Sequence, residues 1–382
     1  MRYGRLGFSL ALATMVVGCS KCDETTTTTP SRVVLGDVTD LRTSETGSTA
    51  TFTIALEKKP TSNVVVPLSS SDTTEGTVAP SSLTFTPENW NAPQQVVVTG
   101  VDDTLEDGAI TYQAVIGTLQ SDDVYFSRYN PDDVDVSNID NDTAGVTVAP
   151  RQGLTTTESG GTAEFAVVLN AQPTAAVTIE VTSGDPTEGT ASPSTLTFTT
   201  TNWNSPQTVR VTGADDGEAD GPKDYQIVVG PVTSSDADYA AVNPDDVSVT
   251  NTDNDSPGVT VTVTDATSGE NGSTGAVTVV LNSQPTSDVT SAVASSDTSE
   301  ATAAPGTLTF TTSNWNAPQT VLLAGVDDSV ADGNQPYQLQ FTSVTSSDAG
   351  YSGLSVASVS LSNVDDDSPG VTVDIVDGTS GE

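Results

Sequence analysis

The side chains in this 382-residue sequence that are best suited to chemistry are carboxylates, and they recur. Between residues 158 and 255 they fall into four groups: Glu158; Asp185 with Glu188; Asp215, Asp216 and Asp220; Asp253 with Asp255. The same four groups occur 113 residues earlier as Glu45; Asp72 with Glu75; Asp102, Asp103 and Asp107; Asp140 with Asp142. They occur again 112 residues later as Glu270; Asp297 with Glu300; Asp327, Asp328 and Asp332; Asp365, Asp366 and Asp367. Brought together, such groups repel by about 1 kcal/mol per pair at 4 Å even in bulk water, and by more beside protein. A hard divalent cation relieves that repulsion. Calcium accepts six to eight oxygen ligands in flexible geometry, magnesium asks for a stricter octahedron, and zinc asks for nitrogen or sulfur. The sequence has no histidine, and its two cysteines, Cys19 and Cys22, lie outside the repeats. The carboxylates therefore point to Ca2+ as the ion. Read as a solvated acidic cap that keeps an exported protein soluble, the same residues need no ion at all.

Whether the four groups meet depends on the elements that carry them. Ala163, Phe165, Val167 and Leu169 alternate with Glu164, Ala166 and Val168, the period of a strand with one buried face. Phe52, Ile54 and Leu56 stand in the equivalent places of the first repeat. In the second repeat seven strands are expected, at 145–149, 162–169, 176–183, 195–199, 208–213, 224–230 and 246–252, with Gly, Pro, Asn, Asp and Ser between them. The fold class that follows is all-β: tandem antiparallel seven-stranded sandwiches of immunoglobulin-like size. If consecutive strands run in opposite directions, the first, third, fifth and seventh all end at one pole. The four carboxylate groups follow those four strands. The opposite pole, with Asn170-Ala-Gln-Pro173 and Asn202-Trp203, is largely neutral, although Asp245 and Asp246 precede the last strand.

A second landmark is the stretch from Leu83 to Asp103: LTFT, then NWNAPQ, then a Val-rich strand ending Gly100-Val101-Asp102-Asp103. Trp90, Trp203 and Trp315 share the spacing of the carboxylates, as do Tyr112, Tyr225 and Tyr337. A period common to every landmark means tandem domains. The repeats are placed at 32–143, 144–255 and 256–367, with almost no linker between them. Residues 369–382, PGVTVDIVDGTSGE, match 257–270, PGVTVTVTDATSGE, so 368–382 read as the start of a fourth repeat that continues further on. The proline of NWNxPQ cannot donate to a ladder and belongs just before its strand. The tryptophan is expected to close one end of the core rather than to stack on a ligand.

The glutamate in the first loop, the acid after the third strand, the GVDD-type loop and the terminal Asp-rich run together resemble the Calx-beta domain. That domain is a calcium-binding sandwich, and the resemblance covers residues 32–382. It implies that the four loop groups bind calcium at the pole facing the next domain, with Glu158, Asp185, Asp215, Asp216 and Asp253 as ligands in the second repeat. The sequence departs from the family pattern in two places. SSDTTEGTV and its relatives replace the acidic Gly-x-Asp-Tyr segment, and after the Asp-Asp pair only Asp107, Asp220 and Asp332 align, whereas Glu106 and Glu218 do not. Asn251-Thr-Asp253-Asn254-Asp255 also resembles the junctions of cadherin repeats, which implies the same ion at the same place.

With 51 acidic against 11 basic residues, a formal charge of -40 argues against nucleic acid and anionic membrane surfaces as partners, and for cations. The N-terminus has Arg2 and Arg5, then an apolar run from Leu6 to Val17 that is too short to span a bilayer. Residues 1–18 therefore read as a signal peptide, and 19–31 as a Thr-rich tether. Val16-Val17-Gly18-Cys19 resembles the lipobox of bacterial lipoproteins, which implies cleavage before Cys19, acylation of its thiol, and a membrane contact through that lipid. Ser20 favours the bacterial outer membrane or cell surface by the same analogy. Cys22 has nothing to staple and reads as a free thiol. A stalk of three repeats would reach on the order of 100 Å from the anchor. The functional expectation is a lipid-anchored, calcium-binding surface stalk or adhesion module, whose protein or glycan ligand these residues do not specify. The alternatives are a passive acidic spacer and the non-catalytic stalk of an enzyme whose catalytic domain lies beyond residue 382. An active site is not expected in these residues. Adjacent exposed acids do not supply the separated acid and nucleophile of glycoside hydrolysis, and no nucleophile elbow or phosphate loop accompanies them.

Overall fold

The computed structural model describes residues 31–374, 376 and 378; the signal peptide, Cys19 and Cys22 lie outside these residues. The chain divides into two compact units, one holding the residues up to Asp103 together with Asp107–Asn141, the other Thr104–Glu106 and Asp142 onward. Three separate apolar cores are present, one from Val33 to Val136, one from Val148 to Val249 and one from Val277 to Leu361. The second unit therefore contains two of them.

In the first unit the strands are β1 (Val33–Gly36), β2 (Leu41–Ser44), β3 (Thr49–Leu56), β4 (Val64–Ser70), β5 (Gly76–Ala79), β6 (Ser82–Phe85), β7 (Gln94–Gly100), β8 (Ile110–Ile116) and β9 (Val134–Ile139). They form two packed sheets, β1-β3-β7-β5 and β2-β9-β8-β4-β6. Period-2 alternation gives each strand one inward face. Phe52, Ile54 and Leu56 on β3 are almost wholly buried, as are Phe165, Val167 and Leu169 on the matching strand of the second repeat. The third repeat has the same four- and five-stranded pair of sheets, and the second adds a two-residue strand, Thr233–Ser234, to its larger sheet.

The second repeat contains three strands beyond the seven expected: Leu154–Thr157, Gly189–Ser192 and Thr233–Ser234. All are short and built from Thr, Gly, Ala and Ser, so they carry little apolar alternation to read. Leu154–Thr157 also pairs in parallel with Val247–Thr252, an exception to the otherwise antiparallel ladders. Convergence survives these additions for a directional reason. Leu154–Thr157 continues the travel of Val146–Ala149 after a change of sheet, and Gly189–Ser192 and Thr195–Phe198 together make one return pass. The strand ends before Glu158, Asp185, Asp215 and Asp253 consequently share a pole.

The tryptophans sit at the opposite pole, half-buried against their cores. Their carbonyl oxygens accept from Leu56, Leu169 and Leu281 N–H at 2.9, 3.2 and 3.1 Å. Each indole is thereby fixed at the end of an inner strand. In the second unit the loop after Gly213 reaches the third repeat, where the Gly217 carbonyl accepts from Gln284 N–H at 2.5 Å. A methyl group at Gly217 would sit 2.9 Å from Trp315 Cζ2, so the loop lies directly on that ring.

Candidate metal centre

At the acidic pole the carboxylates separate into two clusters per repeat. In the second repeat Glu158, Asp215 and Asp255 bring oxygens within 4.8 Å of one another, and Glu188, Asp216 and Asp220 do the same. The third repeat repeats the first cluster with Glu270, Asp365 and Asp367; the first unit repeats the second cluster with Glu75, Asp103 and Asp107.

The first cluster is built on a buried glutamate. Glu158 is 3% exposed; its N–H donates to Thr252 O at 3.1 Å and its Oε2 accepts from Asn254 N–H at 2.9 Å. Asn254 Nδ2 also donates to Asp215 Oδ1 at 3.0 Å, which ties the GADD loop to the terminal Asp run. Asp253 accepts from Gly221 N–H at 2.6 Å and from Asp255 N–H at 2.6 Å, and so shapes the loop around the cluster. In the third repeat Glu270 Oε2 accepts from Asp366 N–H at 3.3 Å, and Asp365 accepts from Gly333 and Asp367 N–H at 2.6 and 2.7 Å. Asp367 Oδ2 is buried there without a hydrogen-bond partner. In the first unit Glu45, 3% exposed, accepts from Asn141 N–H at 2.9 Å. Asn141 Nδ2 reaches Asp102 at 2.8 Å, and Asp140 accepts from Asp107 and Gly108 N–H at 3.0 and 2.8 Å. Asp142 is the first residue of the second unit's main segment.

The second cluster stands on a buried polar network that the sequence reading did not identify. Asn251, 1% exposed, donates from Nδ2 to Glu188 Oε2 at 3.3 Å and to Ala214 O at 3.0 Å, and its Oδ1 accepts from Thr156 Oγ1 at 3.0 Å. Asn138 with Thr43, and Asn363 with Ser268, repeat the arrangement. The Glu188 carbonyl accepts from Ala214 N–H at 2.9 Å, which holds the TEGT turn against the Asp-Asp pair. The available signal was the recurrence of Glu75, Glu188 and Glu300, and of Asn138, Asn251 and Asn363, at the same offsets as the aspartates.

Asp72, Asp185 and Asp297 have a different task. Their Oδ1 atoms accept from the N–H and hydroxyl of Thr74, Thr187 and Ser299, closing their own turns. The Glu three residues later is the one directed at the cluster. Asp328 caps its loop through Val330 N–H at 2.6 Å, Asp327 lies within Coulombic reach of Asp367, and the Asp332 carbonyl accepts from Gln335 Nε2 at 3.2 Å.

The electrostatics separate the two populations. Burial, reinforced by neighbouring carboxylates, raises Glu75, Asp107, Glu158, Asp255, Glu270 and Asp367 above the usual carboxyl range. Hydrogen bonds from Thr74, Thr187 and Ser299 hold Asp72, Asp185 and Asp297 below it. The cluster carboxylates are thus gathered at a cost, whereas the turn aspartates are already satisfied.

No protein-family profile matches the chain, and no curated protein sequence does. Among solved structures it is similar to CBD12 from CALX1.2, at 16% identity and a TM-score of 0.25, over 54% of this chain and 82% of that one. It is similar to the calcium binding domain CBD12 of CALX1.1 at 18% identity and a TM-score of 0.27, over 52% and 80%. Domains 4–9 of the surface layer protein SbsC match at 15% identity and a TM-score of 0.23, over 83% of this chain and 42% of that one. The likeness is of β-sandwich architecture alone.

Proposed function

We propose that these repeats form a calcium-binding surface stalk, exported and held to a bacterial membrane by lipid on Cys19. The observation that carries the calcium reading is Asp367 Oδ2, a buried carboxylate oxygen with no hydrogen-bond partner, beside Glu270 and Asp365. A buried anionic oxygen left bare is costly, and its neighbours are also anions, so the missing partner is a cation. The donor set is oxygen throughout, with no histidine in the chain, which suits calcium and not zinc. Glu158, Asp215 and Asp255 would hold the ion in the second repeat, and Glu270, Asp365 and Asp367 in the third. A bound ion supplies positive charge that offsets the repulsion among the loops. The chain's own residues orient the carboxylates: Asn254 for Glu158 and Asp215, Asp253 for the Gly221 loop. The architecture supports a spacer role because each repeat is a complete two-sheet sandwich and no pole carries a nucleophile–base pair among the described residues.

The test is thermal unfolding of the full chain in EDTA and in millimolar calcium. Ligand at ten times its dissociation constant adds about 1.4 kcal/mol per site, and the melting temperature should rise accordingly. An unchanged melting temperature leaves the acidic-spacer reading. Asp215→Asn with Asp216→Asn should remove the second repeat's share while the chain still folds. The anchor is tested separately: a Cys19→Ser chain should lose incorporation of radiolabelled palmitate in cells.

A further inference from the structure

The second cluster is not the same in every repeat. In the second repeat Lys223 Nζ lies 2.9 Å from Asp220 Oδ2, and Glu188 and Asp216 are within Coulombic reach of the same ammonium. All three carboxylates of this cluster therefore face one positive charge that belongs to the chain. Lys223 opens a strand, Lys223–Val229, and is opposite Asn251 in register, the residue that carries Glu188. Its position is thus set by the ladder and by the network under the cluster.

The equivalent position in the first repeat is Ile110, opposite Asn138, and in the third it is Gln335, opposite Asn363. Ile110 brings no charge to Glu75, Asp103 and Asp107, and Gln335 spends its amide on the Asp332 carbonyl. One position, two residues before the recurring tyrosine, thus carries an apolar, a cationic and a neutral polar side chain in turn.

We propose that Lys223 is a tethered counter-ion that fills the cation position of the Glu188–Asp216–Asp220 cluster, so that this cluster takes calcium far more weakly than Glu75–Asp103–Asp107. The inference rests on the calcium reading above and assigns its gradation between repeats. An ammonium bonded to a carboxylate must be displaced before a divalent ion can use that oxygen, and the displaced charge then repels the ion at close range. The flexible lysine stem allows the ammonium to swing away, so the effect is weakening and not exclusion.

A reciprocal exchange tests it. Calcium binding to the full chain is measured by isothermal titration of calcium chloride into wild type, Lys223→Ile, Ile110→Lys and Lys223→Ile/Asp216→Asn. Lys223→Ile should tighten one class of site by roughly tenfold, the effect of removing one near charge at a partly exposed position. Ile110→Lys should weaken one class by a similar factor, and adding Asp216→Asn should erase the gain of Lys223→Ile. Wild-type binding that neither exchange alters would overturn the proposal. A chain that binds no calcium in any form rejects the calcium reading and the proposal with it. A separate readout in EDTA distinguishes these results: Lys223→Ile should lower the melting temperature by leaving three carboxylates uncompensated, and 0.5 M sodium chloride should recover most of the loss. No loss in EDTA would show that Lys223 is not the counter-ion, whatever calcium does.

Discussion

A single glycine shows how the backbone places the acids. A Cβ at Gly213 would press on the Thr157 carbonyl oxygen and come within 2.5 Å of Asn251 Oδ1, so the end of the Gln207–Gly213 strand can pass only as glycine. Asp215 follows two residues later and inherits that path. Gly213→Ala should cost about 1–3 kcal/mol of stability and also reduce the gain from calcium, read by melting with and without EDTA. The carboxylates set the pH dependence. For Glu158, Asp255, Glu270 and Asp367 the folded-state value lies above the unfolded one, so between the two the native protein binds more protons than the unfolded chain. Stability is therefore lost as pH rises through that window and regained as it falls. Asp72, Asp185 and Asp297 run the other way, with stability present above the unfolded value and lost in acid. In EDTA the melting temperature should climb from about pH 7 to about pH 5 and drop below about pH 4; calcium should flatten the upper limb. A flat profile from neutral to weakly acidic pH in EDTA would contradict this.

At the scale of elements, the NWNxPQ segment and the loop after Gly213 do different work. Trp203 closes one end of its core and fixes Leu169 through its carbonyl. Trp203→Ala should cost about 2–4 kcal/mol, below the cost of a fully buried ring because the indole is half exposed, and should leave calcium affinity unchanged. The Asp215–Asp220 loop links the acidic pole of one repeat to the neutral pole of the next, since Gly217 rests on Trp315 and bonds Gln284. Gly217→Val should displace that ring and shift its fluorescence without touching a carboxylate.

The whole molecule carries a formal charge of -40, which favours solubility and opposes compaction. The opposition is concentrated where the cores are thinnest in counter-charge: the third repeat, from 256 to 367, contains no Lys or Arg. In EDTA, raising sodium chloride from about 20 mM to about 0.5 M shortens the screening length from roughly 20 Å to under 5 Å and should raise the melting temperature. With calcium present the same salt step should have a smaller effect, because the closest charges are already compensated. Equal salt responses in both conditions would place the repulsion elsewhere.

The sequence by itself determined the all-β class, the period of the repeats and the pole at which the carboxylates gather. Each rests on something that one chain displays directly: alternation at Phe165, Val167 and Leu169, a fixed offset between tryptophans, and the order in which acids follow strands. Three decisions belonged to tertiary structure. Strands such as Gly189–Ser192 exist because a neighbour offers hydrogen bonds, not because their own residues alternate. Asp185 is drawn off to close its turn with Thr187, whereas Glu188 is delivered to the cluster by a buried asparagine 63 residues away. Lys223 meets Asp220 because a ladder register and a loop bring them together. Spacing along a chain fixes which residues are on one side of a strand or at one end of a sandwich. It does not fix which oxygen is already taken by a neighbouring N–H, and that is what separates a turn-closing aspartate from a ligand.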